Sequence, residues 1–360
     1  MQIDRVGGRT NGTVDFGRSH FIWRRTDLAS TRVPVRSVVV CGVLALVAFG
    51  VTLISLSTGD FDVSVAEAAR ALFGTASSQV ELVVTQWRLP RVLLALVLGG
   101  ALGVSGAIFQ SITRNPLGSP DIIGFNVGAY TGAIAVIMLL RGNYLQIAGG
   151  ALAGGLLTAF AVYLLAFKKG VQGFRLIIVG IAVSALLGSV NTWMLIKADL
   201  MWAMSAAVWG AGSLNETSWT QFYPVLALTL LLVPLALALA TRMQLLEMGD
   251  DAARSLGVRA EPARVSLVVV GVALTAVATA AAGPIAFVSL AAPQLVRRLT
   301  KGAGIELLPS AFMGMVLLVA SDLIAQRAFA PAQLPVGVVT VSLGGIYLVW
   351  LLAREARRRK

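Results

Sequence analysis

Residues 265–296 read VSLVVVGVALTAVATAAAGPIAFVSLAAPQLV, a run of 32 residues without an ionisable side chain. A membrane-crossing helix needs about 20 apolar residues, so this run is too long for one and short for two of full length. Near its middle stands Ala282-Gly283-Pro284, where proline removes a backbone donor and glycine loosens the turn. Whether the run is one helix or two decides whether the chain has nine spans or ten. The remaining apolar runs are plainer: 37–57, 91–113, 122–140, 145–167, 174–196, 221–241, 307–329 and 334–353. Composition agrees that these are membrane helices. The 360 residues are 57% hydrophobic and 13% charged, where a soluble chain has about 45–50% and about 25%. Mean hydropathy is +0.83, and the 37 glycines suit membrane helices better than soluble ones.

Charge placement chooses between nine and ten. The first 36 residues carry Arg5, Arg9, Arg18, Arg24, Arg25, Arg32 and Arg36, and the last seven carry Arg354, Arg357, Arg358, Arg359 and Lys360. Basic flanks mark the cytoplasmic side, so both ends belong inside and the number of spans is even. The long run then splits at Gly283-Pro284. With ten helices only Arg70, Arg88, Arg91, Arg141, Lys197 and Arg327 fall outside, and the other 23 of the 29 basic residues fall inside. The net charge of +12 is therefore read as orientation and not as nucleic-acid binding. The expected fold is all-α and polytopic, with ten transmembrane helices and both termini cytoplasmic. A cytoplasmic arm occupies 1–36, the ten-helix domain 37–353 and a basic tail 354–360. The arm is read as mobile, and its His20, the single histidine, as a solvated side chain. The lone Cys41 supports neither a disulfide framework nor a CxxC metal site.

Several function classes lack their chemistry. Ion-coupled carriers need ionisable groups near the midplane, and here Glu81, Asp199, Glu306 and Asp322 fall near span ends while Gln110, Asn126, Asn191 and Thr192 are neutral. No GxxxxGK[ST] loop, HExxH motif or nucleophile elbow is found. The chain is read as no enzyme, holding no metal and needing no cofactor. A transporter without an energy source implies a partner that supplies one. Small residues saturate Gly99–Gly103, Gly149–Gly155 and Gly344-Gly345, a pattern read mainly as close helix packing.

Two loops carry information. The longest internal cytoplasmic loop, about 242–264, contains TRMQLLEMGDDAARSLGVRAEPAR. Asp250 can cap a short helix with apolar Ala252, Ala253 and Leu256, and Gly257 stops it. Such a helix suits a groove on a soluble partner; the alternative, a helix lying on lipid headgroups, calls for more aromatic and basic residues. The second loop, Gln86-Trp87-Arg88-Leu89-Pro90-Arg91, puts an outward-pointing cationic pair at a helix start. It reads either as headgroup anchoring or as charge pairing with carboxylates of an extracytoplasmic partner.

The stretch RLPRVLLALVLGGALGVSGAIFQSITRNPLGSPDIIGFNVGA (Arg88–Ala129) resembles the signature of the FecCD-type permeases, membrane subunits of type II ABC importers for iron–siderophores, haem and vitamin B12. The likeness continues collinearly through WGAGSLN (Trp209–Asn215), MGDDAARSLGV (Met248–Val258), Gly283–Lys301 and LPVGVVTVSLGG (Leu334–Gly345), across roughly residues 40–352. It implies ten helices, a second permease subunit, two ATPase subunits below and a substrate-binding protein on the outer face. It implies docking of that protein by Arg88, Arg91 and Arg327. It implies ATPase coupling through Gly249, Asp250, Asp251, Ala252, Ala253, Arg254, Leu256 and Gly257. It also implies a pathway near Gln110 and Asn115, with Asn126 and Asn191 as weaker lining candidates.

The chain departs from the family pattern at Gln294 after Pro293, at Gln333 before LPVG, at Asp322-Leu-Ile-Ala325-Gln326-Arg327 with its arginine displaced by one position, and at Gly345-Ile346-Tyr347. Those departures suggest one subunit of a non-identical pair in the inner membrane of a bacterium. The function so implied is ATP-driven import of a ferric siderophore, with cobalamin or haem as alternative cargo and an ion-coupled secondary carrier as the more distant alternative.

Overall fold

A computed structural model describes residues 20–26, 29–121, 124–166, 173–215, 217–302 and 304–358. Most of the expected N-terminal arm, and the last two residues of the basic tail, lie outside these. Two antiparallel strands, β1 (His20–Thr26) and β2 (Ala29–Pro34), occupy the end of the arm, with Phe21 opposite Val33 and Trp23 opposite Thr31. The last helix runs on to Arg358, into the expected basic tail.

Among the described residues, all other regular structure is helical: α1 (Val35–Ser57), α2 (Val65–Leu72), α3 (Ser78–Leu82), α4 (Leu89–Thr113), α5 (Phe125–Ala135), α6 (Tyr144–Ala166), α7 (Gly173–Lys197), α8 (Leu200–Gly210), α9 (Trp219–Ala238), α10 (Ala240–Glu247), α11 (Asp250–Ser255), α12 (Ala260–Ala282), α13 (Val288–Thr300), α14 (Leu307–Arg327) and α15 (Val336–Arg358). A π-helical turn, Val83–Arg88, joins α3 to α4 without a break. Pro90, the second residue of α4, has no N–H to give the carbonyl four residues back, and the widened turn accommodates the missing bond. Among the described residues, seven helices are long and apolar enough to cross a membrane: Val35–Ser57, Ser78–Thr113, Tyr144–Ala166, Arg175–Lys197, Trp219–Ala238, Ala260–Ala282 and Leu307–Arg327. Phe125–Leu140, Leu200–Gly210 and Val336–Trp350 are shorter apolar helices.

The 32-residue run is two helices. Gly283 ends α12 with φ +72, a left-handed value that glycine adopts without a steric penalty. The chain then runs irregularly to Phe287, and α13 begins at Val288 with only 13 residues. α4, α12 and α14 form the interior: 83%, 61% and 56% of their apolar windows are buried, against 17–22% for α1, α6, α7 and α9.

Small residues set the spacing of the interior. Gly99 and Gly103 of α4 lie directly on Gly314 and Ser310 of α14, and Gly106 lies on the Ser289 carbonyl of α13, with no room for a Cβ at any of them. Gly128 and Gly132 of α5 meet Gly154 and Gly150 of α6 in the same way. Both pairs are small-xxx-small contacts that bring backbones together, which bears out the packing reading of these glycines. Gly344 instead seats the ring of Phe287, while Gly149 and Gly345 face open space. The apolar contact between α4 and α12 also holds a polar link: the Ser105 hydroxyl donates to the Gly271 carbonyl at 2.7 Å and lies 2.8 Å from the Thr275 hydroxyl.

Candidate functional site

At the end of the bundle that carries α2, the three expected docking arginines converge, each already engaged. Arg91 forks onto Asp322 of α14, its Nε donating to Oδ2 at 3.0 Å and its Nη2 to Oδ1 at 2.8 Å. Its Nη1 donates to Gln333 Oε1 at 3.0 Å. Asp322 has no exposed side-chain surface and Arg91 keeps 12%, so a fixed outward-pointing pair is not what sits here. A fully buried carboxylate needs a paired, hydrogen-bonded cation, and Arg91 turns inward to be one. Arg88 donates to the carbonyls of Leu56 at 2.9 Å and Phe61 at 2.6 Å, stapling the loop after α1 onto the π-turn. Arg327, exposed at the end of α14, donates to the Gly59 carbonyl at 2.9 Å. Between them opens a hollow of about 240 Å3 lined by Asp60, Trp87, Arg88, Arg91, Gln326 and Gln333. The short helix beside it, α2, is closed by a reciprocal cap in which Ser64 N–H donates to Glu67 at 2.9 Å and Glu67 N–H to Ser64 Oγ at 3.2 Å.

At the opposite end, α11 is a helix as expected but capped differently. Gly249 with φ +116 is its N-cap, and Asp250 is already helical. The Asp250 carboxylate accepts from Arg114 Nη2 at 2.7 Å and from Arg264 Nη2 at 2.8 and 2.9 Å. Burial pushes this carboxyl up, but the two guanidiniums outweigh it and hold the group below its ordinary value. Arg114 also donates to the Leu246 carbonyl at 2.8 Å. Ala253 is fully buried, whereas Met248 and Leu256 are 67% and 58% exposed. The exposed Asp251 pairs with Arg254 at 3.3 Å. Gly257, with φ +83, ends the turn as expected.

The neutral polar residues divide into separate groups. Gln110, buried, donates from Nε2 to the Leu290 carbonyl at 2.9 Å while its Oε1 has no partner. It shares a hollow of about 130 Å3 with Arg114, Asn115, Glu247 and Arg297, and Asn115 Oδ1 accepts the Leu117 N–H at 2.9 Å. Asn126 belongs to another group. Its Nδ2 donates to Asp121, and its Oδ1 accepts from the Thr279 hydroxyl at 3.1 Å. Asn191 is buried on α7 with Oδ1 unpartnered and joins neither group.

Asp121 is an interior carboxylate that no local sequence signal marks. It also accepts the Ser289 hydroxyl at 3.1 Å and the Phe287 N–H. The short helix α8 was missed as well; it places Trp209 against Tyr130 (stacked, centroids 6.3 Å apart) and Trp202 under Arg141 at 5.7 Å. The departures at Gln294 and Tyr347 meet: the Tyr347 hydroxyl donates to Gln294 Oε1 at 3.3 Å, and Gln294 Nε2 donates to the Pro116 carbonyl at 2.6 Å.

Against known proteins, the profile of the FecCD transport family matches residues 44–354. The chain is 50% identical over 304 residues to the ferric enterobactin transport system permease protein FepG of Escherichia coli K12, covering 84% of this chain and 92% of that protein. It is 35% identical over 328 residues to the iron(3+)-hydroxamate import system permease protein FhuG of Bacillus subtilis, covering 89% and 98%. A solved metal-chelate type ABC transporter in an inward-facing conformation superposes with a TM-score of 0.78 at 27% identity, covering 88% of this chain and 99% of that one.

Proposed function

The chain belongs to the FecCD transport family, and from that premise we propose that it is the permease subunit of a bacterial importer that carries a ferric siderophore inward across the cytoplasmic membrane. ATP is hydrolysed by separate subunits, and a binding protein delivers the cargo. The observation that carries this reading is the 50% identity to a ferric enterobactin permease over 92% of that protein's length. Ten spans with both termini inside accord with seven long apolar helices, with the shorter α5, α13 and α15, and with the basic residues of both ends. The second permease in this reading is a different chain, as the departures at Gln294, Gln333, Arg327 and Tyr347 suggest.

Three surfaces have parts in this reading. The hollow among Arg88, Arg91 and Asp60 receives a lobe of the binding protein, with exposed Arg327 at its edge; Arg91 acts there by fixing the floor through Asp322. Met248, Asp251 and Leu256 on the outer side of α11 enter the ATPase groove, while Gly249, Ala252, Arg254 and Gly257 shape the turn and Asp250 and Ala253 hold it to the bundle. Gln110 and Asn115 line the inner mouth of the pathway, and Asn126 and Asn191 contribute along it.

The test is uptake into proteoliposomes holding this chain, its partner permease and the ATPase, with binding protein and enterobactin loaded with radiolabelled iron. Uptake that requires ATP and binding protein is expected. Uptake without ATP, driven by an ion gradient, would establish the carrier alternative, and transport of cyanocobalamin or haemin in place of the ferric complex would reassign the cargo.

A further inference from the structure

After α4 the chain does not leave the bundle. Arg114 takes a left-handed conformation, φ +50, and turns the backbone back alongside the helix it has just ended. Gly118 packs against Thr113 and the Phe109 carbonyl with no room for a Cβ. By Asp121 the chain has reached Ser289, the second residue of α13. Ser289 stands about 17 Å from the far end of that helix at Thr300, eleven residues at about 1.5 Å each. It is also the residue whose carbonyl touches Gly106, well inside α4. The segment therefore climbs from the α10–α11 end into the middle of the bundle.

It is held at each stage of the climb. Arg114 binds the Leu246 carbonyl and Asp250. The Pro116 carbonyl accepts from Gln294 of α13 at 2.6 Å. Asp121 takes three donors, from Phe287, Ser289 and Asn126. α13 starts without a capping side chain of its own, its N-cap Phe287 having φ +71, and its first turn lies where water cannot satisfy free N–H groups. Asp121 supplies that acceptor from another part of the chain, and through Asn126 it reaches α5 and Thr279 of α12. Three donors on one buried carboxyl fix this end of the segment to α13 and α5. The other end grips a six-residue helix flanked by Gly249 and Gly257, both at positive φ, positions free to pivot.

We propose that residues 114–121 are a strut that transmits displacement of the α10–α11 segment to the start of α13 and to α5, with Asp121 as the positioning residue at its inner end. The inference rests on the reading of α11 as the ATPase contact. It supplies what that reading lacks, a continuous physical link between the energy-receiving surface and the interior, anchored at both ends by side-chain hydrogen bonds.

The experiment measures iron taken up per ATP hydrolysed in the reconstituted complex, using ferric enterobactin, for wild type, Asp121→Asn and Ser289→Ala. Wild type lacking any ATP-dependent uptake would defeat the permease reading itself, and the strut with it. With wild type active, Asp121→Asn should assemble with the ATPase, keep its basal hydrolysis within about twofold, and lower uptake per ATP at least tenfold. Ser289→Ala, which removes one of the three bonds, should lower the ratio less. An unchanged ratio in Asp121→Asn overturns the strut. So does parallel loss of uptake and hydrolysis, or failure of both variants to assemble, since each would mark Asp121 as part of the fold alone.

Discussion

Asp322 has no exposed side-chain surface, so the Arg91 guanidinium is what makes its charge tolerable. Removing one partner strands the other, and breaking a buried pair costs about 3–5 kcal/mol. Asp322→Asn should lose about that much in chemical denaturation of the detergent-solubilised protein. Arg327→Ala should change stability by less than about 0.5 kcal/mol, as exposed positions usually do, while weakening association with the binding protein in a pull-down. The two substitutions thus separate a structural arginine site from a contact site. At this scale the sequence was least legible. Arg91 and Asp322 are 231 positions apart, and nothing in either local stretch announces the other. Asp121 sits between Ser119-Pro120 and the apolar run from 122, where no local signal marks burial, and only the fold-back beside α4 buries it.

Elements were read more surely, since their signals are local. Gly283-Pro284 divides the long apolar run because glycine and proline act on the backbone itself. The glycine clusters announced close packing for the same reason, but not their partners. Gly103→Ala would press a methyl onto the Ser310 backbone and should cost about 1–3 kcal/mol, the usual penalty of overpacking. Gly149→Ala faces open space and should be neutral or stabilising by up to about 1 kcal/mol; both are read from the same denaturation curves. α8, with 11 residues, stayed hidden because it is too short for a span and lies in what reads as a connecting loop.

The α11 turn carries a pH prediction. Its Asp250 carboxyl lies below the ordinary value in the folded chain, near 3.9 when unperturbed. A depressed carboxylate stabilises the fold at every pH above its unfolded value, and that contribution is lost only as pH falls through the still lower folded value. ATPase binding should therefore be insensitive to this group from about pH 5 to 8. Asp250→Ala should weaken binding throughout that window, because Arg264, 8% exposed, loses its main acceptor at a cost of about 1–3 kcal/mol. Affinity measured across the pH range checks both.

For the whole molecule, the distribution of basic residues proposes an orientation, and labelling can check it. With Cys41→Ser removing the free thiol, Asp60→Cys should react with an impermeant maleimide from the outer side of intact cells. Ser255→Cys should react only in inverted vesicles. The reverse pattern would turn the molecule over and exchange the two surfaces described above.

The glycine contacts also limit how such a molecule can change shape. Backbones in direct touch, as in α4 with α14 and α5 with α6, cannot ride over one another without lifting apart, so each couple is a stiff plate. α12 packs apolar side chains against both couples and adds hydroxyl and amide bonds, Ser105 with Thr275 on one side and Asn126 with Thr279 on the other. Those bonds can lengthen or exchange where the glycine seams cannot. The glycine seams are thus the stiffest contacts within each couple.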